Sequence, residues 1–229
     1  MRSATSSEPL FRRVTGGALI GPSILSANFA TLGKEVRSVI RGGADFIHVD
    51  VMDGHFVPNL SMGPAVCAAV RRSSPSVWID VHLMITNPRD FIAPFVAAGA
   101  NNITFHAEVE RKPVELIRRI QSTGLTAGIA IKPGTPWKTI RTCLGLADLF
   151  LVMSVQPGFS GQKFMKSALP KVRAIRERIA ETQRVELDGG VTPANARVCR
   201  DAGCDALVSG SEIFSSASYR RVISALRRG

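Results

Sequence analysis

The sequence predicts a single (β/α)8 barrel with parallel strands, on three observations. From Leu19 onward, short apolar strand candidates alternate with amphipathic helix patterns. The phrase Gly-Ala/Cys-Asp/Asn recurs ahead of the second, fourth and eighth strands, as a helix stop followed by a short loop would. No GxGxxG turn follows the first strand, which removes the sign of a doubly wound dinucleotide-binding sheet.

Strands are expected at Ile20–Leu25, Phe46–Met52, Trp78–Met84, Asn102–His106, Thr126–Ile131, Leu149–Ser154, Val185–Asp188 and Ala206–Ser209. They are short and apolar, as parallel strands covered on both faces must be. Leu32, Val36, Val39 and Ile40 mark the core face of the first helix. Phe91, Phe95 and Val96 mark the third, and Val172, Ile175 and Ile179, opened by Pro170, the sixth. Gly42-Gly43, Gly99 and Gly203 supply helix ends. The barrel is expected to occupy residues 19–229. Residues 1–18, rich in Ser, Thr, Gly and Arg with Glu8 as the lone acid, read as a disordered N-terminal extension. Transit peptides share that composition, but the segment lacks the apolar core of a secretory signal.

Composition narrows the function classes. No apolar run reaches the length of a membrane span, so no membrane partner is expected. Cys67, Cys143, Cys199 and Cys204 form no CxxC pair and read as reduced thiols of a cytoplasmic protein. The net charge of +11 could suit nucleic acid. However, Arg71-Arg72, Arg118-Arg119, Arg220-Arg221 and Arg227-Arg228 fall on or near helices, where solvated outer faces account for them. With a single tyrosine and no basic–aromatic interleaving, nucleic acid is not an expected partner. The charge still suits an anionic substrate.

His48, Asp50 and Met52 alternate with Val49 and Val51 and so share one face of a strand. A structural His–Asp pair satisfying itself in the core is one reading; two ligands of a divalent metal is the other. The pattern repeats in Asp80-Val81-His82-Leu83-Met84, and the repetition favours the metal. Asp188, at the end of Val185-Glu186-Leu187-Asp188, adds a third acidic strand end. His48, Asp50, His82 and Asp188 make an N₂O₂ set for one divalent metal ion, with Zn, Fe, Mn or Co as candidates. Barrel enzymes work at the C-terminal ends of their strands, where these residues, His106 and Met153 all fall. Met52, Met84 and Met153 would give the site a low-polarity lining; plain core filling is the alternative.

Three glycine turns follow late strands: Gly158-Phe159-Ser160-Gly161, Gly189-Gly190 and Gly210-Ser211. Backbone N–H groups at such turns bind phosphate oxygens, and barrels commonly hold phosphate in that quadrant. No Walker loop is present, so a nucleoside triphosphate is not implied.

Together, Pro22-Ser23-Ile24-Leu25-Ser26-Ala27, the run from His48-Val49-Asp50 to Pro58-Asn59, Asp80–Met84, Val152-Met153-Ser154-Val155 with Pro157-Gly158-Phe159, and Asp188-Gly189-Gly190 resemble the ribulose-phosphate 3-epimerase family. The resemblance runs from about Ile20 to the C-terminus. It implies a metal-dependent barrel that interconverts D-ribulose 5-phosphate and D-xylulose 5-phosphate. By resemblance, Ser23 and His82 contact the substrate, His48, Asp50, His82 and Asp188 hold the metal, and Asp50 and Asp188 move the proton. The expected partners are a small sugar phosphate and further copies of the chain in a homo-oligomer. Ser160, Lys132, Leu187 and Asn28 depart from the residues usual in the family, and none is a proposed ligand. The chemistry suits the residues. Removing the C3 hydrogen, α to the C2 carbonyl, leaves an enediolate, and inversion needs an acid on its other face. A 3-epimerase of a ketohexose 6-phosphate would share every one of these residues. A phosphate-binding barrel lyase, such as a decarboxylase or aldolase, is the alternative from another class; an aldolase of the Schiff-base kind would need a strand-end lysine, for which Lys132 is the candidate.

Overall fold

The computed structural model describes residues 8–13 and 17–228. Eight strands form one parallel sheet: β1 (Leu19–Pro22), β2 (Phe46–Met52), β3 (Trp78–Met84), β4 (Asn102–His106), β5 (Thr126–Ile131), β6 (Leu149–Met153), β7 (Arg184–Asp188) and β8 (Ala206–Ser209). Their order is β1-β8-β7-β6-β5-β4-β3-β2. Ser23 bridges His48, and the Asp45 N–H donates to Ile20 O at 2.9 Å, so β1 also meets β2 and the barrel nearly closes. The helices wrap the outside: α1 (Leu32–Arg41), α2 (Pro64–Ser73), α3 (Pro88–Ala97), α4 (Pro113–Gln121), α5 (Leu169–Arg176), α6 (Pro193–Asp201), α7 (Ser211–Phe214) and α8 (Tyr219–Arg228). This is the expected (β/α)8 architecture. Among the described residues no helix is long and apolar enough to cross a membrane.

Several elements differ from expectation for local reasons. β1 stops at Pro22, which has no N–H for the ladder; Ser23 Oγ then accepts from Leu25 N and turns the chain into a 3₁₀ helix, Ile24–Ser26. After β5 comes a 3₁₀ helix, Trp137–Cys143, where the β-branched Thr139, Ile140 and Thr142 weaken an α-helix. On α3 the buried stripe is Pro88, Ile92 and Phe95; Phe91 sits at its edge and is 38% exposed. Ile179 lies beyond the end of α5.

The recurring loop phrase has a structural job. Asp45, Asn101, Asp148 and Asp205 each stand just before an even-numbered strand. Their side chains accept the backbone N–H of Ile20 (2.7 Å), Ile79 (2.9 Å), Ala127 (2.9 Å) and Val185 (2.8 Å), each on the preceding odd-numbered strand. Each also takes an arginine: Arg227, Arg71, Arg12 and Arg176. The base of the barrel is thus stitched four times by one device. Arg71 and Arg227 are therefore not simply solvated charges: Arg71 also donates to the carbonyls of Gly99, Pro75 and Val77.

The extension takes part in this base. Residues 10–12 form a 3₁₀ turn whose Phe11 is fully buried against Phe46 and Trp78, edge-on to both rings. Leu19, Leu149, Ala206 and Val208 complete that cluster. Residues 8–13 thus pack as part of the folded unit, while residues 1–7 and 14–16 lie outside the described residues.

Candidate active site

At the C-terminal ends of the strands, β2 supplies His48 and Asp50, β3 supplies His82 and β7 supplies Asp188. One ligand atom from each of the four lies within 4.8 Å of those of the others. Asp50 is the hub. Its Oδ2 accepts from Ser23 Oγ at 2.5 Å, and its Oδ1 lies 3.1 Å from His82 Nδ1 and 3.3 Å from His48 Nε2. Asp188 Oδ2 is 3.9 Å from His82 Nδ1. The alternation read in the sequence creates this grouping, because residues two apart on β2 both face the barrel interior.

Beneath lies a polar layer whose contacts sequence reasoning did not foresee, although Asp80 stood in the repeated strand pattern. Asp80 Oδ2 is 2.7 Å from His48 Nδ1, and Asn102 Nδ2 donates to Asp80 Oδ1 at 2.6 Å. Glu186 Oε1 is 3.4 Å from the same imidazole nitrogen. With Nδ1 held by Asp80, His48 turns Nε2 toward Asp50, where it is buried and makes no hydrogen bond. An orphaned imidazole nitrogen beside two carboxylates is what a metal ligand looks like, and the Asp80 contact matches the outer carboxylate of such sites.

The charges agree. Burial opposes ionisation of Asp50, but His48 and His82 outweigh it and hold the carboxyl far below its usual range. Burial also disfavours the charged form of His48, yet Asp50 and Asp80 raise its pKa well above normal. Burial, and then the charge of Asp50, push Asp188 up to about 6. Burial and Asp80 raise Glu186 as well. Four carboxyl groups therefore crowd two imidazoles, and a divalent cation among them would favour the ionised carboxylates.

A third layer continues from His82. His82 Nε2 lies 2.9 Å from His106 Nε2, and His106 Nδ1 lies 3.1 Å from Glu108 Oε2. Burial pulls the His106 pKa down to about 4 against the opposing pull of Glu108, so this ring is neutral. The signal available in sequence was His106-Ala107-Glu108 at the end of β4.

Above this floor opens a cavity of about 400 Å³. Ser23, Asp50, Met52, Met84, Met153, Asp188 and all three glycine turns line it: Gly158-Phe159-Ser160-Gly161, Gly189-Gly190 and Gly210-Ser211. His48 and His82 do not; both are fully buried below it, and Asp50 and Asp188 are the members of the set that reach the cavity. The glycines at 189 and 190 are obligatory. Their φ values are +117 and +64, and a Cβ would sit 2.5 Å from Val155 Cγ2 and 2.6 Å from Phe164 N, respectively. Asn195, not foreseen, fixes this turn by donating to Gly190 O at 2.9 Å and capping α6 together with Thr192. Its signal was Thr192-Pro193-Ala194-Asn195, a capping-box spacing. Ser26, also unforeseen, brings a buried hydroxyl without a hydrogen-bond partner to the cavity wall. Lys132 does not line the cavity; its Nζ sits 3.6 Å above the Phe56 ring.

Fold and site together define a (β/α)8 barrel with an acid–base, metal-capable cluster on the face where barrel enzymes hold substrate. The model of the ribulose-phosphate 3-epimerase family matches residues 19–214. The chain is 44% identical to the cytoplasmic isoform of ribulose-phosphate 3-epimerase from Oryza sativa subsp. japonica, over 92% of this chain and 93% of the relative. It is 45% identical to ribulose-phosphate 3-epimerase from Mycobacterium bovis, over 93% of each. A chloroplastic relative from Arabidopsis thaliana is 44% identical, over 91% of this chain and 76% of its own length. Among solved structures, 3-hexulose-6-phosphate synthase from Salmonella typhimurium has a similar fold, with a TM-score of 0.68 at 14% identity over 91% of this chain and 96% of that one. The chain belongs to the ribulose-phosphate 3-epimerase family.

Proposed function

We propose that this chain interconverts D-ribulose 5-phosphate and D-xylulose 5-phosphate by moving the proton at C3. The observation that carries the reading is the placement of Asp50 and Asp188. They come from β2 and β7, strands separated around the barrel by β1 and β8, and they meet at one cavity floor. One carboxylate removes the C3 hydrogen, leaving an enediolate. The other delivers a proton to the opposite face, which inverts C3. In the reverse direction the two exchange roles.

The neighbours support this work. Ser23 donates to Asp50 and fixes its orientation. Met52, Met84 and Met153 line the cavity beside the carboxylates, and such an apolar lining opposes the pull of the imidazoles on their basicity. The glycine turns offer backbone N–H donors to a phosphate. His48, Asp50, His82 and Asp188 would hold one divalent ion, with Zn, Fe, Mn and Co as candidates. Bound there, the ion would supply positive charge where the carbonyl oxygen becomes negative. Four buried cysteines without a disulfide support a cytoplasmic setting.

A coupled assay tests the reading. D-ribulose 5-phosphate should be converted to D-xylulose 5-phosphate, activity should fall on chelation, and a divalent metal should restore it. Turnover of a ketohexose 6-phosphate alone, or borohydride trapping of substrate on Lys132, would overturn it.

A further inference from the structure

We infer that His106 and Glu108 are positioning residues: a hydrogen-bond relay that fixes the ring tautomer of His82 and turns its Nδ1 lone pair toward Asp50 and Asp188. The relay can be followed proton by proton. Glu108 Oε2 lies 3.1 Å from His106 Nδ1. A carboxylate only accepts, so Nδ1 of His106 carries the hydrogen. Glu108 is itself pinned, because its Oε1 accepts from the backbone N–H and the hydroxyl of the next loop, at Lys132 and Thr135. With that hydrogen as the ring's one N–H, the lone pair of His106 lies at Nε2, 2.9 Å from His82 Nε2. One hydrogen must lie between the two nitrogens, and only His82 can supply it.

With its one ring hydrogen at Nε2, His82 has an unprotonated Nδ1. That lone pair faces Asp50 Oδ1 at 3.1 Å and Asp188 Oδ2 at 3.9 Å. A lone pair opposite two carboxylate oxygens is repulsive unless a cation lies among them. The relay makes His82 a metal ligand instead of a hydrogen-bond donor to Asp50. This consequence rests on the metal reading above; the relay itself does not.

The surroundings protect the arrangement. His106 is fully buried, with its ring centroid 5.0 Å from that of His82 and 4.6 Å from that of Phe56. Lys132 caps Phe56 in turn. Outer partners of metal-bound histidines typically contribute about 10–100-fold in metal affinity.

Two substitutions and one spectroscopic measurement test the inference. His106→Phe keeps an aromatic ring beside His82 and Phe56 and removes the acceptor. His106→Gln restores the polarity, since its carbonyl accepts from His82 and its amide donates to Glu108. Zinc affinity, measured by competition with a chromophoric chelator, should fall about 10–100-fold in His106→Phe and stay close to wild type in His106→Gln. Unchanged affinity in His106→Phe, or equal loss in both variants, would overturn the inference, since equal loss points to packing alone. If His106→Phe does not fold, ¹⁵N NMR of the metal-free wild type decides. His106 must be the Nδ1–H tautomer with an unprotonated Nε2; the opposite tautomer contradicts the relay. If the wild type binds no divalent ion, the metal reading falls and the same spectrum still decides the relay.

Discussion

Asp50 receives a hydroxyl on one oxygen and faces two imidazoles with the other, so a change there reaches every part of the site. Asp50→Asn and Asp188→Asn should each lower kcat by about 10²–10⁴-fold, the usual worth of a positioned acid or base. Metal content has to be measured beside the rate, because both residues are also candidate ligands. A second residue gives a pH test away from the site. Asp53 accepts N–H groups from His55, Phe56 and Thr86. Burial works against it, but these bonds hold its pKa at about 2, below the ordinary 3.8. Its contribution is therefore complete above about pH 4 and disappears as pH falls through about 2. The melting-temperature gap between wild type and Asp53→Asn should narrow over that window; a gap as wide at pH 2 as at pH 5 would refute the assignment. At this scale, the residues that alternate on a strand were legible: His48, Asp50, Met52, His82 and Met84. Asp80, Glu186 and His106 were legible as strand positions but not in their contacts, and Glu108 was not legible, because these groups act on other side chains and only the barrel brings them together.

The strands and helices were legible wherever burial on both faces imposes an apolar run, as in β2 to β5, whose limits match the expectation. Loop chemistry was legible as a repeated phrase but not as a device, since an N–H acceptor on a neighbouring strand has no mark of its own. The stitch before β6 escaped for a further reason: Ala147-Asp148 has no glycine directly ahead of it. Its arginine, Arg12, belongs to the segment expected to be disordered. A Ser/Gly/Arg-rich composition hides one aromatic that the barrel base needs. Phe11→Ala should destabilise the fold by about 3–5 kcal/mol, the range for deleting a fully buried Phe, read by urea unfolding. Little change would show that the base closes without its plug. Asp205→Ala should cost about 1–3 kcal/mol, because Val185 N–H and Arg176 lose a shared acceptor.

On the scale of the whole molecule, the barrel separates stability from chemistry. The base holds the Arg–Asp/Asn stitches and the Phe11 plug; the opposite end holds the carboxylates, the methionines and the glycine turns. Chelation should therefore abolish turnover and leave the far-UV circular dichroism spectrum unchanged. Loss of secondary structure on chelation would show that the metal holds the fold together. The central claim is that two carboxylates on different strands exchange the C3 proton through opposite faces of one intermediate. Turnover of D-ribulose 5-phosphate in deuterium oxide tests it most directly. The account predicts D-xylulose 5-phosphate carrying deuterium at C3, because the acid that reprotonates is not the base that took the hydrogen. Product formed without deuterium at C3 would contradict it.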